Sequence, residues 1–262
     1  HNGSIVTIRQ KGILIKYDGL SQPDVIRFLG LSDPISDIIE SIREHIIAYK
    51  GSPDRFFETR YSQSRGLRIL RQHPWECLVS FICSANSNVS TIGKRINLIL
   101  GRYGTSCTIF ENTFPDPAVL SQCQEPELRE CLTGYRAPYL IKTAQYIHEH
   151  PDFFQQVRKM EYHQAKDTLM NLPGVGPKVA DCVLLFAFEH LNAVPVDIRI
   201  RKIIEDKYAS LIHTDKSGKL PYDTIGGFCR EYFGPYAGYA QQYLFATRDL
   251  EKGEVTRSAE LP

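Results

Sequence analysis

Residues Asn171-Leu-Pro-Gly-Val-Gly-Pro-Lys-Val-Ala-Asp181 decide the reading of this chain. Helical spacing flanks them on both sides, so two helices meet here at a hairpin containing Gly174 and Gly176. Pro177 suits the first position of the second helix, where its missing N–H has no partner to lose and its fixed φ is already helical. Glycines let such a turn reach unusual backbone angles and let a phosphate come close. The free N–H groups of the next helix, that of Val179 among them, and its positive dipole end point at that phosphate. The arrangement is an anion cradle fitted to a DNA backbone without regard to sequence. On Gly and Pro spacing alone, the same stretch also suits a plain junction between two helices.

Two residues add chemistry to the cradle. Lys178 falls in the first turn of the second helix, an unusual place for a lone Lys because the dipole disfavours its charge there. Nineteen positions later, the extended run Ala193-Val-Pro-Val-Asp197 opens onto Ile198-Arg-Ile-Arg-Lys-Ile-Ile, which places Asp197 as a helix N-cap. A carboxylate at that position can also stabilise a cationic sugar transition state while remaining a cap, as in glycosidic cleavage generally.

Working outward, residues 4 to 18 read as two β-branched runs joined at Gln10 to Gly12, a hairpin that is marginal alone and so is expected in a larger sheet. Beyond Asp24 the texture is helical, as in Ile35, Ile38, Ile39, Ile42 and Ile46-Ile47. Helices are expected over 74–86, 89–103, 117–123, 125–132, 137–148, 162–171, 177–190, 198–208 and 222–248, the last broken near Gly234 to Gly238. The fold class is therefore mostly α with a small N-terminal antiparallel β portion (α+β). The expected division is an N-terminal β-hairpin and helical segment over 1–65, the remainder of a sheet domain, and a helical body over 66–262 with the helix-hairpin-helix at about 165–190.

The 262 residues are 42% hydrophobic and 23% charged, ordinary globular values. Thirty-one Lys and Arg against 30 Asp and Glu give a net charge of +1, which neither demands nor excludes a nucleic-acid partner docking on a local patch. Seven cysteines (Cys77, Cys83, Cys107, Cys123, Cys131, Cys182, Cys229) without a paired Cys-x-x-Cys, and a polar start at His1-Asn2-Gly3-Ser4, favour a reducing intracellular compartment. They argue against zinc and against a four-cysteine iron–sulfur cluster, and no apolar run reaches the length of a membrane span.

Taken together, Leu-Pro-Gly-Val-Gly-Pro-Lys-Val-Ala-Asp-Cys182 and Val-Pro-Val-Asp197 closely resemble the helix-hairpin-helix, Gly/Pro-rich, Asp superfamily of DNA glycosylases, in its 8-oxoguanine branch. Three further blocks look like the same branch: Pro74-Trp-Glu-Cys-Leu-Val-Ser-Phe-Ile-Cys-Ser-Ala-Asn-Ser-Asn88, Gly134-Tyr-Arg-Ala-Pro-Tyr139 and Gly234-Pro-Tyr-Ala-Gly-Tyr-Ala-Gln-Gln-Tyr-Leu-Phe245. The similarity spans roughly residues 65 to 250.

The resemblance implies a glycosylase fold with its active site in a cleft between helical domains, and a monomer acting on double-stranded DNA containing 8-oxoguanine. Lys178 is expected to attack C1′ of a flipped nucleotide, expel the base and form a Schiff base that β-eliminates to nick the strand, with Asp197 stabilising the oxocarbenium-like state. No metal or organic cofactor is implied. Phe245 is expected to stack on the extruded base, Gln241 to bond its Watson–Crick edge and Cys182 to face its other side. Asn86 and Arg136 would meet the orphaned partner base, and Tyr135 would wedge into the stack. Gly174, Gly176, Val179 and Arg199 are the expected DNA-phosphate contacts. The implied setting is intracellular, the nucleus in a eukaryote or the cytoplasm and nucleoid in a prokaryote.

The match departs at three places. Thr91 stands where the family carries an Arg five positions after the partner-probing Asn, which removes a bidentate donor and implies relaxed opposite-base specificity. Arg199 replaces a frequent His, and either can contact a phosphate. The family's segment ending in Phe-Arg-Trp has no counterpart in the sequence from His1. Competing readings are an endonuclease III-like glycosylase for oxidised pyrimidines, whose usual four-cysteine cluster is missing here, and a non-catalytic helix-hairpin-helix DNA-binding module; adenine glycosylases usually lack the Lys.

Overall fold

The computed structural model describes residues 7–11, 14–106, 112–212 and 220–246. Proline and side-chain caps set where most helices begin. In chain order the elements are β1 (Thr7–Lys11), β2 (Leu14–Asp18), α1 (Gln22–Phe28), α2 (Ile35–Lys50), α3 (Arg55–Gln63), α4 (Pro74–Ser84) and α5 (Val89–Tyr103). They continue with α6 (Pro117–Ser121), α7 (Glu125–Leu128), α8 (Ala137–Glu149), α9 (Phe153–Arg158), α10 (Tyr162–Met170) and α11 (Pro177–Ala187). The last three are α12 (Ile198–Tyr208), α13 (Tyr222–Phe233) and α14 (Ala237–Ala246). Asn88 caps α5 by accepting from Thr91 N at 2.9 Å, and Asp54 caps α3 by accepting from Phe56 N and Phe57 N.

The mostly helical fold class holds, with one antiparallel ladder pairing Thr7 with Asp18 through Lys11 with Leu14. Residues 4–6 and 12–13 of the expected hairpin lie outside the described residues. Among those described, β1 and β2 pair only with each other, so the larger sheet expected from the hairpin is not formed within them. Only Ile8 and Ile15 of the two strands are even half-buried. Several helices also end before the expected residue, α6 at Ser121 and α11 at Ala187 among them. Helix α4 stops at Ser84, because Ala85 turns extended and Asn86 takes a left-handed φ of 48°. The helix expected to reach Leu132 ends at Leu128 and gives way to a wide π turn in which Leu132 has φ 59°.

The described residues fall into two compact units. The first comprises residues 1–32 and 70–189, the second 33–69 and 190–262. In the first, α11 packs on α4 and α10, α6 lies on α8, and α5 meets the π turn. The two helices of the hairpin are joined internally by a buried ion pair. Lys166 Nζ on α10 is 3.2 Å from Asp181 Oδ2 on α11, and Tyr162 donates to Asp181 Oδ1 at 2.7 Å. With its charge paired and both oxygens engaged, Asp181 can be buried completely.

In the second unit, α2 packs on α13, and α14 packs on α3 and α12. Its centre is aromatic: Tyr49, Phe57, Tyr208, Phe228, Tyr232 and Phe233 meet edge-to-face or tilted, with Phe228 stacked on Tyr232, beside one buried carboxylate. That carboxylate is Asp54, which besides capping α3 accepts from Tyr208 at 2.9 Å and Tyr232 at 3.0 Å. Burial first, then the Asp54 charge, pushes both phenols upward, so they stay protonated and donate.

Candidate active site

In the first unit, α10 and α11 form the helix-hairpin-helix that the glycines predict. Gly174 sits at φ 80°, and a Cβ there would lie 2.8 Å from Tyr139 Cβ, so both backbone angle and space require glycine. Thr143 on α8 donates to Pro173 O at 2.9 Å and fixes the turn from below. Gly176 is different: its φ is ordinary and the space where a Cβ would go is open. As the N-cap of α11 it has no side chain to offer, so the N–H groups of Lys178 and Val179 receive no side-chain cap. An uncapped helix start with open space before it is a place for an anion.

Lys178 is half-buried in the first turn of α11. Its Nζ donates to Ser84 Oγ at 3.3 Å and lies 5.1 Å from the centre of the Phe81 ring. Ser84 spends its own proton on Phe81 O at 2.7 Å, so its lone pairs face the amine. Phe81 is held in turn by stacking on Phe186 of α11. The amine is thus oriented by a hydroxyl and a ring, both of which it can leave at little cost. The thiols on the same helix as Ser84 do not compete as nucleophiles, since burial pushes Cys77 well up and Cys83 up to about 12. Cys182, also on α11, is buried.

The same unit gathers the residues expected to probe the partner base. Asn86, exposed and left-handed, donates from Nδ2 to the Tyr135 hydroxyl at 3.1 Å. Tyr135 is 48% exposed in the short 3-10 turn Gly134–Arg136, and the Arg136 guanidinium lies 4.3 Å from its ring centre. Arg136 itself is buried, donating to Thr133 O at 3.3 Å and to Ala85 O.

The second unit carries Asp197, which caps α12 as its sequence position suggests. One oxygen, Oδ1, accepts from Arg199 N at 3.0 Å and Ile200 N at 2.8 Å; among the described residues Oδ2 accepts nothing. The run of residues leading to it is strapped by Tyr222, whose hydroxyl accepts from Val196 N at 3.2 Å and donates to Val194 O at 3.3 Å. The carboxylate is therefore held by the backbone N–H groups of α12, and the run before it is held by Tyr222. Arg199 stacks over Phe245 at 5.2 Å, and Phe245 is only half-buried rather than core. Gln241, one turn earlier on α14, is buried and accepts from Gln242 Nε2 at 2.7 Å.

A family profile described as "HhH-GPD superfamily base excision DNA repair protein" matches residues 79–219, a span holding the hairpin, Lys178 and Asp197. The chain belongs to this superfamily. The HhH-GPD chain is 37% identical over 189 residues to the N-glycosylase/DNA lyase OGG1 of Arabidopsis thaliana, covering 69% of this chain and 52% of the relative. It is 34% identical over 215 residues to a probable N-glycosylase/DNA lyase of Methanothermobacter thermautotrophicus, covering 73% and 66%. It thus spans about half to two thirds of the length of the curated relatives it matches. Its fold is similar, at a TM-score of 0.81 and 28% identity, to an 8-oxoguanine glycosylase/lyase of Clostridium acetobutylicum solved with double-stranded DNA containing cytosine opposite 8-oxoG, covering 94% of this chain and 82% of that one.

Sequence reasoning missed the supporting residues of this HhH-GPD site: Ser84 and Phe81 behind Lys178, and Tyr222 behind Asp197. Each acts on a partner far away in the chain, and such pairs leave no local spacing to read. Among the described residues no group of three or more His, Cys, Asp or Glu is placed to hold a metal, and no helix is long and apolar enough to cross a membrane.

Proposed function

We propose that this HhH-GPD protein is a bifunctional 8-oxoguanine DNA glycosylase and abasic-site lyase. The observation that carries the reading is Lys178, whose amine lies at an uncapped helix start and rests on Ser84 and Phe81 without an ion-pair partner among the described residues. The hairpin binds a backbone phosphate of double-stranded DNA through the N–H groups past Gly174 and Gly176, with Arg199 adding a cation. A flipped base is stacked on Phe245, bonded along its edge by Gln241 and backed by Cys182.

At the sugar, the base departs from C1′ with the electrons of the glycosidic bond and takes up a proton. The developing cation is stabilised by the carboxylate of Asp197. The Lys178 amine bonds to C1′ and gives up a proton. The sugar ring opens to a Schiff base, loss of a proton from C2′ follows, and the phosphate on C3′ leaves with its electron pair, nicking the strand. Protein side chains suffice for each step. The partner is one damaged duplex, met by a single copy of the chain in an intracellular compartment, nuclear in a eukaryote or with the nucleoid in a prokaryote. The names of the relatives support the glycosylase and lyase chemistry, and the 8-oxoG DNA in the similar structure supports this substrate.

The test is incubation with duplexes bearing 8-oxoguanine opposite each of the four bases under sodium borohydride. A covalent protein–DNA adduct is expected. An adduct on oxidised pyrimidines alone would assign the protein to endonuclease III-like chemistry, and none on any damaged or abasic duplex would leave a binding module.

A further inference from the structure

Arg95 on α5 is 4% exposed, and its guanidinium reaches the two turns that carry Asn86 and Tyr135 and the last turn of α4. Its Nε donates to Leu132 O at 2.7 Å, in the π turn just before Tyr135. Its Nη1 donates to Ser87 Oγ at 3.0 Å and to Cys83 O, on either side of Asn86. One rigid planar fork thereby bolts together segments about 45 residues apart. Arg136 answers from the other turn, donating back to Ala85 O, while its own Nε is buried without a partner.

Among the described residues neither arginine has a carboxylate partner. Their hydrogen bonds go to neutral acceptors, the Ser87 hydroxyl and four carbonyls, two of which, Cys83 O and Ala85 O, lie at the C-terminal, negative end of α4. Burial first, and then the Arg136 charge, pushes the Arg95 guanidinium below its ordinary range. Two neighbouring buried cations are costly to hold, and a fold that needed only to close these turns could use an apolar residue at position 95. What the arginine secures is geometry. It holds the carbonyl of Leu132, a residue left 51% exposed at φ 59°, and it braces the backbone on which Asn86 stands at φ 48°.

Position 95 lies one helical turn beyond Thr91, on the same face of α5. Thr91 is too short to reach a base edge with a bidentate fork. We propose that Arg95 is a positioning residue for discrimination of the base opposite the lesion, acting by locking the Asn86 turn to the Tyr135–Arg136 turn. The inference rests on the glycosylase reading above. In it, selectivity for the opposite base comes from how rigidly Asn86 and Arg136 are presented, while excision depends on Lys178 and Asp197, which Arg95 does not touch.

The test compares wild type, Arg95→Met, Arg95→Lys and Ser87→Ala in single-turnover excision of 8-oxoguanine opposite each base, beside borohydride trapping on an abasic duplex and thermal unfolding. Arg95→Met is expected to shrink the ratio of fastest to slowest opposite base by about tenfold, the worth of one charge-assisted hydrogen bond. Abasic trapping should stay within about threefold, and Arg95→Lys, which keeps the charge and can hold one or two carbonyls, should recover part of the ratio. If Arg95→Met does not fold, Ser87→Ala removes one acceptor at a half-buried position and should lower the ratio about twofold to threefold. A ratio unchanged in Arg95→Met, or in Ser87→Ala where that variant stands in, would overturn the proposal, as would a wild type that excises equally opposite all four bases. Absence of any adduct with wild type on damaged and abasic duplexes would instead overturn the glycosylase reading itself, and the proposal with it.

Discussion

Helices α11 and α12 begin in opposite ways. Helix α12 is closed by its own Asp197, whose Oδ1 satisfies the N–H groups of Arg199 and Ile200. Helix α11 begins at Gly176, which brings no side chain and leaves open space in front of its first N–H groups. The first arrangement fixes a carboxylate by backbone contacts; the second leaves the first N–H groups without a side-chain cap and sets beside them an amine on a flexible stem. On the proposed function, a group that must hold still is built into a cap, and a group that must move is left resting on a hydroxyl and a ring. That reading couples stability and function at α12 and separates them at α11.

The variant expected to have the largest effect is Lys178→Gln. It removes the amine from α11 without touching the cradle, so covalent trapping should vanish while binding to a damaged duplex, followed by gel shift, stays within a few-fold. Asp197→Asn comes next. Single-turnover excision should fall by about a hundredfold or more with the loss of the carboxylate charge, yet the melting temperature should barely move because Asn caps as well as Asp. Asp197→Ala should lose the same activity and in addition about 1 kcal/mol of stability. If Asn and Ala melt alike, the cap half of the comparison fails.

Gly176→Asp tests the open start directly by making α11 resemble α12. The ordinary φ and free space accept the side chain, and a cap should add a few tenths of a kcal/mol to stability. DNA affinity should fall about tenfold, because the carboxylate occupies and repels the phosphate. Unchanged affinity would show that the phosphate does not use this helix start. The smallest effect is expected for Tyr222→Phe, which releases Val196 N and Val194 O ahead of Asp197: about 1 kcal/mol of stability and a few-fold in excision rate.

How much of this was legible in the sequence follows the range of each interaction. The hairpin, the Pro177 start and the Asp197 cap are local, and Gly, Pro and Asp at fixed offsets announce them. Helices α5 and α12 run over the spans their apolar spacing predicts. The π turn has the spacing of a continuous helix; the bond from Arg95 Nε to Leu132 O that holds it open comes from 37 residues upstream. The short helices α1, α3 and α9 carry too few turns to set up a period. Phe245, in an apolar Tyr-Leu-Phe run, looks like core until Arg199 is seen lying over its ring. Ser84, Phe81 and Tyr222 are ordinary residues by type, and only their long-range partners mark them.

The most direct test of the central claim is to trap the protein with borohydride on a duplex containing 8-oxoguanine, digest the adduct and locate the modified residue by peptide mass mapping. The account predicts a single sugar-derived modification on Lys178 and none in the Lys178→Gln variant. Modification at another lysine, or an adduct of equal yield in that variant, would contradict it.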